Sequence, residues 1–165
     1  MKKIGFGGGC HWCTEAVFQS LLGVENVEQG WIASFDENDR FSEAVIVHYN
    51  EQHIDLTALI EIHLYTHSSR SNHSMREKYR SAVYLFSEEQ REESIKAIEK
   101  VQTDFEEPII TQVLLFNCFR ENIIEQQDYY KKNTGNQFCE RHIEPKLQLL
   151  MQRYSKHFNP EWRRS

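Results

Sequence analysis

The pattern of apolar and polar residues first predicts a strand, a tight turn and a helix at the start of the chain. The segment KKIGF is apolar in its middle and is followed by three glycines, which is typical of a strand that runs into a turn. From Trp12 to Leu22 the apolar residues recur at helical spacing, and Gly23 supplies a natural helix end. Cys10 is therefore predicted to lie at a helix N-terminus.

The middle of the chain alternates between strand-like and helix-like segments. β-Branched and aromatic residues predict two paired strands over Val24–Phe35 and Glu43–Asn50, and SAVYLFS and IITQVLLFN predict two later strands. Helical spacing predicts helices over Leu56–His67 and Glu88–Phe105. The polar segment Ser68–Ser74 has no periodicity, so we interpret it as a loop and a candidate part of a site.

The order of these elements predicts an α+β fold. The succession β-α-β-β-α-β matches a ferredoxin-like βαββαβ core, and it is followed by further helices and a long C-terminal tail interrupted by NTGNQFC. We expect a two-layer sandwich in which helices cover one face of a mixed β-sheet. Because 165 residues suit one hydrophobic core, residues 1–165 are predicted to form a single domain.

Composition and charge exclude several classes of partner. The chain carries 19 basic and 25 acidic residues, and its net charge of -6 has the wrong sign for phosphate backbones or anionic membranes. The apolar stretches are shorter than the roughly 20 residues that span a bilayer, and the N-terminus lacks the apolar run of a secretory signal. We therefore expect no nucleic-acid or membrane partner and a cytoplasmic location.

The cysteines carry the candidate chemistry. Four cysteines are too few for a disulfide scaffold, and a helix that begins at Cys10 directs amide groups and partial positive charge at its sulfur. This setting favours the thiolate, which is the nucleophilic form, although a buried structural cysteine is the plainer alternative. Cys10 and Cys13 form a C-x-x-C pair, which suits either dithiol–disulfide cycling or two zinc ligands.

Metal binding is the weaker of these two hypotheses for the C-x-x-C pair. The other two cysteines, Cys118 and Cys139, do not form a second close pair. His63 and His67 are one helical turn apart and lie near His73, but no carboxylate motif accompanies them. We expect these histidines to be solvated or capping, and we predict no bound metal.

Five segments, in order, resemble the peptide methionine sulfoxide reductase A family. GGGCHWCTEAVFQSLLGV is similar to the GCFW active-site segment, EAVIVHYN to the segment with a catalytic glutamate, and YRSA to the tyrosine segment. QDYYKKN and CERHIEPKL resemble the tail. The resemblance covers nearly the whole chain and implies a catalytic domain that reduces methionine-S-sulfoxide, free or in peptides, with thioredoxin as electron donor and no bound cofactor. We also expect a monomer.

The resemblance assigns a role to individual residues. Cys10 would attack the sulfoxide sulfur and become a sulfenic acid, while Glu43 would protonate the oxygen. The hydroxyl of Tyr79 would hydrogen-bond that oxygen, and Trp12 would form an apolar wall for the methyl group. On their own, Trp12 and Tyr79 would be interpreted as packing residues. Glu15 is left outside the catalytic set, as a residue that faces water or favours the helix dipole.

A second thiol must resolve the sulfenic acid, and three are available. Cys139 is the first choice, because it lies in the flexible-looking NTGNQFC segment and matches the family's tail cysteine. Cys13 competes with it, since three residues along a helix keep it near Cys10. Cys118 is predicted to be a buried residue at a strand end.

Four positions depart from the family pattern. His11 replaces a phenylalanine beside the nucleophile, and Trp31, in GWIAS, replaces the tyrosine of GYAGG. Ser74 stands where the family has an aspartate, and Gln126 where it has a histidine. His11, Trp12, Trp31 and Ser74 are therefore the candidate substrate-binding residues of an unusual pocket.

Two other functions stay open. One is a general dithiol–disulfide oxidoreductase built on the C-x-x-C pair, which would need neither Glu43 nor Tyr79. The other is a diverged, non-catalytic homologue that binds oxidised methionine or a partner without turnover.

Overall fold

The computed structural model describes residues 1–162, in which six strands form one sheet. The strands are β1 (Lys2–Gly7), β2 (Val24–Ala33), β3 (Ser42–Tyr49), β4 (Ala82–Leu85), β5 (Gln112–Leu115) and β6 (Cys118–Glu121). The helices are α1 (His11–Gln19), α2 (Leu56–Thr66), α3 (Glu89–Gln102), α4 (Tyr129–Lys132) and α5 (Glu144–Arg153), with a π-helical turn at Cys139–Ile143 and 3₁₀ turns at Asp36–Asn38 and Ile124–Gln126. No helix among these residues is long and apolar enough to cross a bilayer.

The strand order across the sheet is β5-β4-β1-β3-β2-β6. Neighbouring strands are antiparallel except β4 and β5, which are parallel. The sheet is therefore mixed, and the predicted α+β class is confirmed. Five of the six strands coincide with predicted ones, whereas β6 was missed because CFRE is short and has no apolar alternation.

Both faces of the sheet are buried, because side chains alternate across each strand. Phe6, Val45 and Val47 lie on the face that packs against α1, α2, α3 and α5. Phe6 stacks on Phe18 of α1 with ring centroids 4.6 Å apart, so truncating either ring is expected to cost about 3–5 kcal/mol. The opposite face has a smaller cluster without helices: Ile32, Ala44, Ile46, Ala82 and Tyr84, with Phe86, Leu114, Phe116 and Phe119 packed on it.

The turn between β1 and α1 depends on a glycine. Gly8 has φ +153, and a Cβ atom there would lie 2.4 Å from the ring of His67. This close approach lets the chain turn sharply into α1, whose N-cap residue is Cys10, as predicted. The helix ends at Gln19 and not at Leu22, because the amide of Leu22 donates to the carbonyl of His157 in the tail, at 2.7 Å.

Two sequence-based assignments outside the site were wrong. Cys118 is exposed at the start of the edge strand β6, opposite Ala33, and is not buried. His63 is not solvated: it is buried against Phe6, with ring centroids 4.7 Å apart, and stacks on His67 at 4.1 Å. Burial lowers the pKa of both histidines, that of His67 to about 3. Both rings are therefore neutral: His63 is a packing residue, whereas His67 caps the end of α2, as predicted.

Candidate active site

Cys10 forms the boundary between the glycine turn and α1. Its carbonyl accepts the amides of Cys13 and Thr14 at 3.1 and 3.2 Å, which closes the first helical turn. Its half-buried side chain accepts a hydrogen bond from the thiol of Cys13, and this bond lowers the pKa of Cys10. The amides of Trp12 and Cys13 lower it further, against the opposing effects of burial and of Glu43. Cys10 is therefore an activated thiol.

Cys13 is the proton-bearing partner in this pair. Donation to Cys10, followed by burial, raises its pKa far above that of an ordinary thiol, while the charge of Lys146 has the opposite effect. Its sulfur lies 3.8 Å from the carbonyl oxygen of His142. Cys139, the third thiol near this pair, is a further and smaller cause of the raised pKa of Cys13.

Cys139 lies in the core and not in an open loop. It is fully buried at the start of the π-helical turn, and its amide donates to Asn136 at 2.8 Å. Burial raises its pKa. The flexible-looking NTGNQFC segment therefore ends in an ordered turn, and all four cysteines of the chain are free thiols.

Glu43 enters the site from β3, directly opposite Trp31 of β2. Its buried carboxyl accepts the amide of His11 through Oε1 at 3.2 Å, and its Oε2 lies 3.7 Å from Nζ of Lys78. Its charge acts on Cys10, as the pKa of that thiol shows. A carboxyl and an activated thiol therefore share one site.

Tyr79 lies in the loop between α2 and β4, next to Lys78. The ammonium of Lys78 lies 5.1 Å from its ring centroid, and a hydrogen bond with Tyr79, then the charge of Glu43, raise the pKa of Lys78. Arg76 holds this loop: its Nη1 donates to the carbonyls of Gly8 at 2.9 Å and Tyr79 at 2.8 Å. The tyrosine loop and the glycine turn before Cys10 are thus tied together.

Trp12 belongs to an aromatic cluster that includes the tail. Its ring stacks on Tyr129 with ring centroids 3.9 Å apart and an interplanar angle of 2°, and it meets the ring of Phe138 edge-on with centroids 5.2 Å apart. Glu15 positions Tyr129, because its buried carboxylate accepts the amides of Asp128 and Tyr129 at 3.0 and 3.1 Å. The expectation that Glu15 faces water was wrong, and burial raises its pKa.

Of the remaining predicted positions, Ser74 lies in an exposed loop and Gln126 is hydrogen-bonded to the sheet. Ser74 is exposed in the loop that carries Tyr79, and among residues 1–162 its side chain has no hydrogen bond to a site residue. Gln126 accepts the side-chain amide of Gln29 through its carbonyl at 2.9 Å. Within the same part of the chain, no three His, Cys, Asp or Glu side chains are grouped as a metal site.

Lys146 was missed by sequence reasoning. It is half-buried in α5, donates to the carbonyl of Thr66, and has a pKa lowered by burial and raised by the charges of Cys13 and Cys10. Its spacing from Ile143 and Leu150 puts it on the apolar stripe of the tail helix, which was the available signal.

The site combines an activated thiol at a helix start, a second thiol within hydrogen-bonding reach and a buried carboxyl. On an α+β scaffold these features define a thiol-dependent reductase. Residues 2–159 match the family model described as peptide methionine sulfoxide reductase. The chain therefore belongs to the peptide methionine sulfoxide reductase family.

Individual relatives agree with this assignment. A peptide methionine sulfoxide reductase MsrA from Erwinia tasmaniensis is 32% identical over 169 residues, covering 93% of this chain and 95% of the relative. One from Deinococcus radiodurans is 33% identical over 165 residues, covering 90% and 80%.

Solved structures show the same fold. Mxr1 from Saccharomyces cerevisiae in reduced form has a TM-score of 0.74 at 23% identity, covering 86% of this chain and 90% of that one. Mxr1 in complex with Trx2 has a TM-score of 0.62 at 24% identity, covering 78% and 84%.

Proposed function

We propose that this protein reduces methionine-S-sulfoxide, free or in peptides, with Cys10 as the nucleophile and Glu43 as the acid. Thiol-dependent reduction of methionine sulfoxide is the activity of the family to which the chain belongs. The observation that carries the residue assignment is the pairing of a thiol whose pKa is lowered by Cys13 with the buried carboxyl of Glu43.

The first step moves two electrons from Cys10 to the sulfoxide. The Cys10 thiolate attacks the sulfoxide sulfur while the Glu43 carboxyl gives its proton to the oxygen. The sulfur–oxygen bond of the substrate breaks, the hydroxyl passes to Cys10, and methionine leaves. The products are Cys10 sulfenic acid, methionine and a Glu43 carboxylate, so atoms and charge balance.

The substrate is held by residues on both sides of Cys10. Tyr79, beside Lys78, would donate its hydroxyl to the sulfoxide oxygen. Trp12, fixed by Tyr129 and Phe138, supplies the apolar wall for the methyl group. Trp31 lies opposite Glu43 on the neighbouring strand β2. The exposed Ser74 lies on the loop that carries Tyr79.

A second thiol then resolves the sulfenic acid. Cys13 already contacts Cys10, and its attack on the Cys10 sulfur forms the disulfide while hydroxide leaves with the Cys13 proton as water. This contact favours Cys13 as the thiol that attacks the Cys10 sulfenic acid. Cys139 is fully buried in the π-helical turn, and no direct contact between it and Cys10 supports it as the first partner. It remains the alternative resolving thiol.

The disulfide must be reduced by an external dithiol, and we propose thioredoxin. The relative Mxr1 has been solved in complex with Trx2, on the same fold. Four free thiols fit a reducing, cytoplasmic location. One chain supplies Cys10, Glu43 and Tyr79, which fits a monomer with one catalytic domain over residues 1–165.

We also propose that β1 to β4, with α1 and α2, form a ferredoxin-like core. The order β4-β1-β3-β2 within the sheet and its antiparallel pairings support this assignment. The segments after β4 then add the edge strands β5 and β6, the further helices and the C-terminal tail.

General dithiol–disulfide exchange is the second candidate, because the hydrogen-bonded Cys10–Cys13 pair is itself suited to it. The decisive assay follows NADPH oxidation through thioredoxin reductase and thioredoxin, with methionine-S-sulfoxide, methionine-R-sulfoxide or a model disulfide as substrate. We expect turnover of the S-sulfoxide only, and none in Cys10→Ser. Turnover of the disulfide alone would favour the exchanger, and no turnover of any substrate would favour a binding protein.

A further inference from the structure

A cleft of about 360 Å³ lies beside the tyrosine loop, the loop between α2 and β4 that carries Tyr79. Its other walls come from the segment between β2 and β3 and from the start of β5. Cys10, Glu43 and Tyr79 do not line it, so it is separate from the candidate active site. Its volume is within the range of small-molecule sites, and charged and amide side chains make up most of its lining.

Arg80 is a buried cation in the wall of this cleft. The residue is 7% exposed; its Nη1 donates to the hydroxyl of Tyr84 at 3.1 Å and its Nη2 to the carbonyl of Arg40 at 2.6 Å. Both acceptors are neutral, and no carboxylate in residues 1–162 is within salt-bridge distance of this guanidinium. Because a buried charge without a counter-charge is costly, this position favours a bound anion.

Arg76 adds a second unpaired cation to the same cleft. Its half-buried guanidinium donates only to backbone carbonyls, among them those of Gly8 at 2.9 Å and Tyr79 at 2.8 Å. It also has no carboxylate partner in the described part of the chain, and burial lowers its pKa. Two like charges that line one cleft repel each other, and an anion in the cleft would offset both.

The rim of the cleft does not neutralise these two cations. The carboxylates that line the cleft belong to Glu37 and Glu77, which are both exposed. Glu77 lies 3.4 Å from Arg40, and their side chains are 83% and 78% exposed, so this pair is screened by water. Asn72 adds an exposed side-chain amide that can donate to a ligand.

We propose that this cleft binds a small oxyanion of the phosphate class, held by the guanidinium of Arg80 and the charge of Arg76, and that the bound anion holds the tyrosine loop. Guanidinium groups match the geometry of oxyanions, and a phosphoryl group carries a charge of about -1.5 to -2, enough to offset two cations. The phosphoryl group is the shared chemistry of free phosphate and of a small phosphate monoester. This inference does not depend on the proposed function.

The effect on the tyrosine loop follows from the position of Arg76. Its Nη1 joins the carbonyl of Tyr79, in the loop, to the carbonyl of Gly8, in the turn before Cys10. An anion that holds Arg76 therefore also stabilises the loop. With saturating phosphate, the loop amides should exchange their hydrogens about threefold more slowly or less readily still. Unchanged exchange in the loop would overturn this half of the proposal.

Titration of the whole protein with inorganic phosphate, followed by amide chemical shifts at constant ionic strength, tests the site. We expect saturable shifts at the residues of the cleft with a Kd on the order of 1 mM, and no saturation up to about 50 mM would overturn the proposal. Acetate should bind at least about tenfold more weakly, and equal binding would overturn the phosphate class. Glycerol phosphate is the monoester probe: tighter binding than inorganic phosphate would identify an ester as the source, and equal or weaker binding would identify free phosphate.

Variants test which side chains hold the anion. Arg80→Met should weaken phosphate binding at least about tenfold, because it removes a buried charged donor. If this variant does not fold, the exposed rim pair gives a test by sign. Arg40→Gln should weaken binding and Glu77→Gln should tighten it, each by about twofold to threefold. Arg120→Gln, an exposed arginine outside the cleft, is the matched control, and a Kd that is the same in the rim variants and the control would overturn the site.

Discussion

The site has two sides that are built differently. The thiol side, Cys10 and Cys13, comes from one turn of α1 and is covered by the tail through Lys146 and Cys139. On the acid side, Glu43 comes from β3 and is contacted by α1 and by the loop before β4. Neighbouring residues in the chain position the thiol side, whereas contacts between distant segments position the acid side.

Because of this difference, we expect the two sides to respond differently to mutation. The thiolate of Cys10 is supported by a hydrogen bond and by amides within three residues, so it should survive changes elsewhere in the fold. The acid depends on His11, Lys78 and the pairing of Glu43 with Trp31. We therefore expect nucleophilicity and proton delivery to be separable by mutation.

Glu43→Gln should produce the largest separation. The amide cannot donate a proton, so sulfoxide reduction should fall on the order of 10² to 10⁴-fold, the usual contribution of a general acid. Alkylation of Cys10 by iodoacetamide should continue at a rate within a few-fold of wild type, or faster, because Glu43 raises the pKa of Cys10. An equal loss of sulfoxide reduction and of Cys10 alkylation would show that the thiol and the acid cannot be changed independently.

Cys13→Ala should affect the thiol side instead. Without its hydrogen bond the pKa of Cys10 rises, so alkylation at neutral pH should slow by about tenfold and recover as the pH is raised above the new pKa. The matched control is Cys118→Ala, an exposed cysteine outside the site. An unchanged pH profile for Cys10 would show that the helix start alone supports the thiolate.

Lys146→Met should have a smaller effect on the same side. The ammonium lowers the pKa of Cys13, so its loss should slow disulfide formation after sulfoxide reduction by about threefold to tenfold. Rapid-quench thiol counting during one turnover measures this step, and Lys146→Arg keeps the charge as a control. A loss confined to the sulfoxide step would place the lysine with the acid side.

Glu15→Gln should change the rate of sulfoxide reduction by less than about twofold, but it should change how the free energy of unfolding depends on pH. Because burial raises the pKa of folded Glu15, its contribution is fully present below the unfolded pKa and is lost as pH rises through the folded pKa. Wild-type protein should therefore lose stability over that window, by at most about 1.4 kcal/mol per pH unit, and the variant should not. Denaturant unfolding from pH 4 to 8 measures the slope, with exposed Glu140→Gln as control.

The two sides also differ in how far the sequence predicts them. Cys10 at a helix start follows from neighbouring glycines and apolar spacing, and the structure confirms it. The burial of Glu15 depends on the tail folding back over α1, which no local pattern reveals. Helical spacing indicates the face on which Lys146 lies, but its contact with Thr66 could not be predicted from that spacing. The hydrogen bond between the His11 amide and Glu43 joins residues 32 positions apart, so it could not be predicted without the sheet register.

In the proposed mechanism the Cys10 sulfur takes the oxygen from methionine-S-sulfoxide. The most direct test is one turnover of reduced protein without an external reductant, followed by methionine quantification and mass mapping of the thiols. We expect one methionine per protein, with Cys10 in a disulfide, and sulfenic acid at Cys10 when the resolving cysteines are replaced. Methionine formed stoichiometrically by Cys10→Ser, or none formed by wild type, would contradict the account.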